Sequence, residues 1–89
     1  MAIRLEYDVA MECKGKMDQG ADNIQEAAAA LASAVEYLRG SWEGASATQF
    51  FSDYDEFIKS ALETAETNVR SGAHNLKIDA DRIKAADEA

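Results

Sequence analysis

Acid–base or nucleophilic catalysis in this sequence would have to use His74, the only histidine among 89 residues. The hydroxyl groups that precede it most closely, on Thr67 and Ser71, fall on the same helical stretch, with no sharp loop to expose a nucleophile. Glu43 stands between a tryptophan and a glycine, but an acid in an exposed turn lacks the buried surroundings that make a carboxylate a general base. We therefore predict that the chain is not an enzyme and has no catalytic residue.

Metal and cofactor chemistry lacks its usual ligand patterns as well. Cys13 is the only cysteine, so neither an intrachain disulfide nor a Cys-x-x-Cys site can form. The Glu-x-x-His spacing of carboxylate-bridged metal sites in helical bundles is missing, and so are calcium loops and glycine-rich phosphate loops. The sequence predicts no metal site and no cofactor.

The charge balance excludes several classes of partner. With 17 acidic and 9 basic residues the net charge is −8, which repels nucleic acid and anionic membrane surfaces. The first residues, MAIRLEYDVAMECKGK, lack the basic head and apolar run of a signal peptide, and no stretch is long and apolar enough for a membrane span. We expect no nucleic-acid partner, no membrane span and no cleavable signal peptide.

The elements that would position a site are helices, because apolar residues recur at helical spacing on both sides of the chain centre. The first stripe steps alternately by four and three residues: Met17, Ala21, Ile24, Ala28, Leu31, Val35, Leu38 and Trp42. The second has a mean spacing close to 3.6 and is widened near its start by Phe50, Phe57 and Ala61: Phe51, Tyr54, Ile58, Leu62, Ala65, Val69, Ala73, Leu76, Ala80 and Ile83. These stripes predict a single domain over 1–89, with helices over about 6–39 and about 45–86.

Residues 40–44 have the composition of a turn between the two helices. Gly40 is expected to end the first helix in the left-handed conformation, and Ser41 to cap the amides of the second helix. Gly44 should let the chain reverse without a Cβ clash. Trp42 continues the first apolar stripe by its spacing, and its indole is expected to cover the end of the contact between the two helices.

A connection this short makes the helices antiparallel neighbours, so the predicted fold is an all-α helical hairpin. Much of its 47% hydrophobic content is alanine, which buries little area, and a partner molecule is the expected source of the missing stability. We therefore expect two hairpins to form a four-helix bundle. Three pairs with the acid four residues before the base should form on its surface: Glu12–Lys16, Asp55–Lys59 and Glu66–Arg70. An acidic ridge on the first helix should lack basic neighbours: Asp18, Asp22 and Glu26.

Trp42-Glu43-Gly44, at the midpoint of a proline-free chain of two helices, resembles the motif of the WXG100 family, the ESAT-6-like proteins of type VII secretion systems. The resemblance covers nearly the whole chain, and apolar positions of the family beyond the motif fall on Phe50 and Tyr54. Two features depart from the pattern. Ser46 stands where the family usually has alanine, and the tail lacks the Tyr-x-x-x-Asp/Glu export signal of some members.

The resemblance implies a non-enzymatic hairpin, made in the cytoplasm and secreted as a dimer, that acts as substrate, co-substrate or export partner. A homodimer is expected, with a paralogous Trp-x-Gly protein as the alternative, and the secretion ATPase is the implied larger partner. Another hypothesis is an intracellular adaptor for the helical export domain of a larger toxin, and a third is a plain helical scaffold. The residues proposed to matter are Trp42 and Gly44 in the turn, and the hairpin and dimer seam Met17, Ile24, Leu31, Val35, Leu38, Phe50, Phe51, Tyr54, Ile58, Leu62, Val69 and Leu76.

Overall fold

The computed structural model describes residues 6–88 and consists of two helical arms folded back on each other. Helix α1 spans Tyr7–Arg39 and forms the first arm. The second arm contains α2 (Ala45–Asp53), a π-helical turn (Tyr54–Ile58) and α3 (Lys59–Glu88). Residues 6–88 contain no strand, and the hairpin measures 66 × 18 × 15 Å. The predicted all-α helical hairpin is confirmed.

Small residues let the two arms approach closely along most of their length. Ala21 of α1 and Ala73 of α3 are both 0% exposed, and Ala10 and Ala80 are buried nearer the open end. A Cβ placed on Gly72 would lie 3.0 Å from Cε of a methionine in α1. Because alanine buries little apolar area, this close contact contributes less free energy per residue than a seam of leucines would.

Larger side chains are buried only near the turn, among the residues that the structure describes. Val35 of α1 packs there with Phe51 and Tyr54 of the second arm and with Ala47, and Trp42 covers this cluster from the connection. The hairpin therefore has its densest apolar core at one end.

Polar contacts between the arms lie on one side of the hairpin, which we call the bridged side. From the open end to the turn they are Tyr7 to Asp81 (Oη–Oδ1, 2.9 Å), Arg70 to Asp22 (Nη2–Oδ1, 3.0 Å) and to Gln25 (Nη2–Oε1, 3.5 Å), and Arg39 to Asp55 (Nη2–Oδ1, 3.3 Å). The contact between Tyr7, near the start of the first arm, and Asp81, near the end of the second, shows that the arms are antiparallel.

Large exposed apolar side chains lie away from the bridged side. At about 100° per residue, with Val35 directed at the second arm, Arg39 falls about 40° to one side, and Leu31 and Leu38 fall about 40–60° to the other. At the open end Ala10 is directed inward, so Val9 falls on the same side as these leucines, whereas Tyr7 falls on the bridged side. We call these three exposed α1 residues the apolar face: Val9, Leu31 and Leu38. The second arm also exposes large apolar side chains near the turn: Phe50, Phe57 and Ile58.

Two of the predicted surface ion pairs form, and the third does not. Glu12 and Lys16 are 3.6 Å apart, and Glu66 bonds to Arg70 at 2.8 Å. Asp55 lies in the π-helical turn, where side chains four residues apart are no longer stacked as on an α-helix, and it pairs with Arg39 of α1 instead of Lys59.

The expected isolation of the acidic ridge was wrong. Asp18 pairs with Lys14 one turn earlier on the same helix, and Asp22 pairs with Arg70 across the hairpin. Lys14 lies four residues before Asp18, so that pair follows from helical spacing on α1, whereas Arg70 reaches Asp22 only because the two arms are antiparallel.

Candidate functional site

The backbone reversal depends on Gly44 rather than on Gly40. Gly44 has φ = 115° and is the only residue with positive φ among those that the structure describes. Gly40 was expected in the left-handed conformation, but it stays right-handed at φ = −72°, ψ = −14°. Its N–H bonds to the Glu36 carbonyl (3.3 Å), so the chain simply continues the last turn of α1 before it reverses. The glycine of the Trp-x-Gly motif is thus the position at which a side chain would strain the backbone.

Ser41 stabilises the end of α1 and not the start of α2. Its hydroxyl donates to the Leu38 carbonyl at 3.3 Å, as does its N–H at 3.0 Å. The N-cap of α2 is Gly44, three residues further on, which has no side chain to cap with. The predicted capping role of Ser41 was wrong because α2 begins later than the serine can reach.

Trp42 is held in a cluster of three aromatic rings. Its ring centroid lies 5.6 Å from Phe50 and 5.8 Å from Phe51, and these two phenylalanines are 5.4 Å apart. The tilted and edge-to-face geometries are the favourable ones for aromatic pairs. Phe51 is buried, Trp42 half-buried and Phe50 exposed over more than a third of its surface. The cluster therefore extends from the buried core at the turn to the protein surface.

Arg39 joins this cluster to the second arm. Its guanidinium carbon lies 4.5 Å from the centroid of Phe51, a cation–π distance. The same group contacts Glu36 (Nε–Oε1, 3.1 Å) and Asp55 in the π-helical turn. One side chain thus links the end of α1, the aromatic cluster and the π-helical turn.

Sequence reasoning missed the π-helical turn, although the spacing of the inward residues contained a sign of it. Ala47 and Tyr54 are seven residues apart, and inward-facing residues after the turn repeat at sevens from Leu62 to Val69. From Tyr54 to Leu62 the step is eight. A single π-helical turn absorbs such an extra residue, and turns of this kind are frequent at functional sites. Here it keeps Tyr54 buried and leaves Phe57 64% exposed.

The predicted seam residues divide into inner and outer groups. Val35, Phe51 and Tyr54 are buried, and Leu31, Leu38, Phe50 and Ile58 are each exposed over more than a third of their surface. The remaining five are half-buried along the contact between the arms: Met17, Ile24, Leu62, Val69 and Leu76. The hairpin alone therefore covers only part of the stripe that the sequence marks as apolar.

A polar cluster closes the opposite end of the hairpin. Asp81 accepts hydrogen bonds from Tyr7 and from Lys77 (Nζ–Oδ2, 2.7 Å), and Lys84 Nζ lies 4.3 Å from the centroid of the Tyr7 ring. The bond to Asp81 raises the pKa of Tyr7, and bonds from Lys77 and Tyr7 lower the pKa of Asp81. These contacts hold the start of α1 against the last turns of α3, at the end of the hairpin opposite the turn.

Candidate metal ligands do not converge at either end of the hairpin within residues 6–88. No group of three or more histidine, cysteine, aspartate or glutamate side chains in that range is placed to hold a metal ion. His74 is exposed on α3. None of the helices described is long and apolar enough to cross a membrane.

A family model described as proteins of 100 residues with WXG matches residues 2–88. The chain belongs to the WXG100 family. Members of this family are small helical proteins associated with type VII secretion, they usually form dimers, and they are not known as enzymes. Comparison with curated proteins and with solved structures gave no significant match. The matched range includes both arms and the turn with Trp42 and Gly44.

Proposed function

We propose that this WXG100 protein is a secreted, non-enzymatic subunit of a type VII secretion system, exported as a homodimer. It acts as a substrate, co-substrate or export partner. The single observation that carries the proposal is that the hairpin leaves large apolar side chains exposed, both on the apolar face of α1 and near the turn on the second arm.

The accessible surface supports association with another molecule. A compact globular protein of 9.7 kDa exposes about 5,100 Å², whereas this hairpin exposes 6558 Å². The excess of about 1,400 Å² is more than the roughly 800 Å² that each partner buries in a standard protein–protein interface. One helical hairpin packed along another would cover the area that the elongated shape leaves exposed.

Charge segregation supports a second copy as the partner. Each chain carries a net charge of −8, so two copies repel each other least where the facing surface of α1 has few acids. On α1 the positions beside Leu31 and Leu38 on the side away from the ion pairs are Ala27 and Ala34. The acids Asp18, Asp22 and Glu36 fall on the bridged side or on the outer surface by the same spacing. A paralogue with a similar face is the alternative partner.

The dimer is tested by placing one charge on each surface of α1. Leu31 is 43% exposed on the apolar face. Leu31→Glu adds a carboxylate there and should convert the dimer to monomer at micromolar concentration. Tyr37→Glu is the matched control, because Tyr37 is 86% exposed and lies on the side of α1 that points away from the second arm. Light scattering gives both masses. Equal masses for the two variants would contradict the proposed use of this face.

The second part of the proposal is that the Trp-x-Gly end docks on the secretion ATPase. In an antiparallel dimer each turn lies beside the helix ends of the partner, so the half-buried Trp42 and the exposed Phe50 would belong to a composite surface. Trp42→Ala should abolish export into the medium, measured in a host with an active type VII system. Lys59→Ala is a control on an exposed side chain outside this cluster. Export of Trp42→Ala at the wild-type level would contradict the docking role.

An intracellular adaptor for the export domain of a larger toxin is the competing function. It would use the same apolar face, but it would remain in the cell and order fully only with its partner. Recovery of the protein from the medium supports secretion. Retention in the cell together with a requirement for a larger partner supports the adaptor.

A further inference from the structure

We propose that Phe57 of each copy packs into a hollow on the second arm of another copy, lined by Leu76, Ala80 and Ile83 of α3. This inference rests on the proposed homodimer and names the contact that would fix how its two copies are aligned. The partner is a second copy of this chain, with its hairpin running in the opposite direction.

Phe57 is an exposed aromatic side chain within the π-helical turn. It is 64% exposed, whereas Tyr54, three residues earlier, is 5% exposed and packs against α1. Asp55 lies on the bridged side, because it bonds to Arg39. Phe57 therefore falls on the opposite side of the second arm, at α-helical and at π-helical spacing alike. Aromatic side chains are enriched at protein interfaces, so this ring is suited to contact a partner on that side.

The hollow lies on the same side of the second arm, further along α3. With buried Ala73 directed at α1, a spacing of about 100° per residue puts Asp81 about 80° toward the bridged side, as its bond to the first arm requires. The same spacing puts Leu76 and Ile83 about 60–80° to the other side. Both are half-buried, and Ala80 between them is small and 1% exposed. The two larger side chains therefore stand on either side of a shallow apolar hollow.

The charge distribution along the chain favours antiparallel copies. Residues 36–63, which surround the turn, include six acids and only two bases, whereas the rest of the chain has eleven acids and seven bases. Parallel copies would bring two acidic turn ends together, and antiparallel copies keep them at opposite ends of the dimer. The corresponding two-fold axis lies in the interface and crosses both arms at right angles. It sets α1 against α1 through the apolar face, and the second arm against the second arm.

Phe57 and the hollow lie at mirrored distances from this axis. Full overlap of two hairpins buries the most apolar area and puts the axis at the middle of α1, near residue 23. The bond from Arg70 to Asp22 makes that level correspond to about residue 68 or 69 of the second arm. Phe57 precedes this level by about 11–12 residues and Ala80 follows it by as many, roughly 17 Å in each direction. The axis therefore brings Phe57 of each copy onto the hollow of the other.

Disulfide trapping in a Cys13→Ser background tests this contact directly. Asp79 is exposed, borders the hollow and lies at the level of Phe57 of the other copy. Phe57→Cys combined with Asp79→Cys should therefore give a covalent dimer on mild oxidation, because a disulfide needs Cα atoms within about 7 Å. The two cysteines of one copy are roughly 33 Å apart along the second arm and cannot join each other. Phe57→Cys with Arg82→Cys is the matched control, since Arg82 is exposed at nearly the same level on the outer surface, and it should remain non-covalent.

The outcomes separate this inference from the proposed function. A dimer by light scattering in which the Phe57/Asp79 cysteine pair links no faster than the Phe57/Arg82 pair would overturn the proposed contact while the homodimer stands. A monomer at every concentration would overturn both. A covalent dimer that requires both Phe57→Cys and Asp79→Cys, and that neither single substitution forms, supports the contact.

Affinity provides a measurement that does not depend on oxidation. Phe57→Ala removes an exposed ring, so the hairpin should fold as before, while the dissociation constant of the dimer should rise about thirty-fold. Tyr37→Ala removes a ring that is 86% exposed on the outer surface of α1 and should leave the dissociation constant unchanged. Leu76→Ala should also weaken the dimer, and if Leu76 touches Phe57 across the interface, the double variant should be less weakened than the product of the two single effects. Independent effects of these two substitutions would contradict the contact.

Discussion

The turn end and the open end of this hairpin are held together by different forces. At the turn, buried Phe51, Tyr54 and Val35 form an apolar core that Trp42 covers. At the open end the arms meet through alanines and through the bonds that Tyr7 and Lys77 donate to Asp81. Apolar burial is the larger contribution to stability, so the turn end should be the last part of the monomer to open, and the open end should depend most on a partner.

The largest expected effect comes from removing the turn-end core. Phe51→Ala deletes a buried ring that also contacts Arg39, and it should lower the free energy of unfolding by about 3–4 kcal/mol. Ile83→Ala removes a half-buried side chain near the open end and should cost about half as much. Urea denaturation at one fixed protein concentration measures both. Equal losses at the two ends would contradict the proposed difference in stability.

Glycine substitutions sharpen the same comparison, because they should change stability in opposite directions. Gly44→Ala places a side chain at φ = 115° in the turn and should destabilise by about 1–2 kcal/mol. Gly15→Ala lies within α1 near the open end, where a Cβ meets no atom within 4 Å, and should stabilise by about 0.5–1 kcal/mol. Melting temperatures of the two variants provide the measurement. A stabilising Gly44→Ala would show that the turn does not need its left-handed glycine.

The smallest expected effect is the pH dependence of the open end. The pKa of Asp81 is lower in the folded hairpin than its ordinary value of 3.8, so its contribution is present above that value and is lost as the pH falls through the folded pKa. Asp81→Asn should therefore lower the melting temperature slightly at pH 7, and the difference from the wild type should disappear in strong acid. Asp87→Asn on the exposed end of α3 is the control. A difference that persists unchanged at pH 2 would show that the charge of Asp81 is not its source.

The hydroxyl of Tyr7, which donates a hydrogen bond to Asp81, should give a pH dependence of stability in alkali. Its pKa is raised above 10.0, so its contribution is complete at neutral pH and is lost as the pH rises through the higher folded value. Tyr7→Phe should thus differ from the wild type at pH 7 and converge with it in strong alkali. Thermal melts at pH 7 and above pH 11 test this sign, and a growing difference in alkali would contradict it.

The sequence predicted the helical hairpin because two long stripes at helical spacing leave few alternatives for the backbone. It could not predict which glycine reverses the chain, because Gly40 and Gly44 are equally free to adopt positive φ. Which of them does so depends on where α2 begins. The π-helical turn followed from one extra residue in a stripe whose mean spacing still looked helical. Which seam residues stay exposed also depended on the crossing of the arms, since Leu31 and Val35 belong to one stripe but face different surroundings.

The most direct test of the central claim is the mass of the wild-type protein in solution. Sedimentation equilibrium over nanomolar to micromolar concentrations should show a reversible association from 9.7 kDa to about twice that mass, with helix content rising as the dimer forms. A stable, fully helical 9.7 kDa species over the whole range would show that the apolar face needs no second copy.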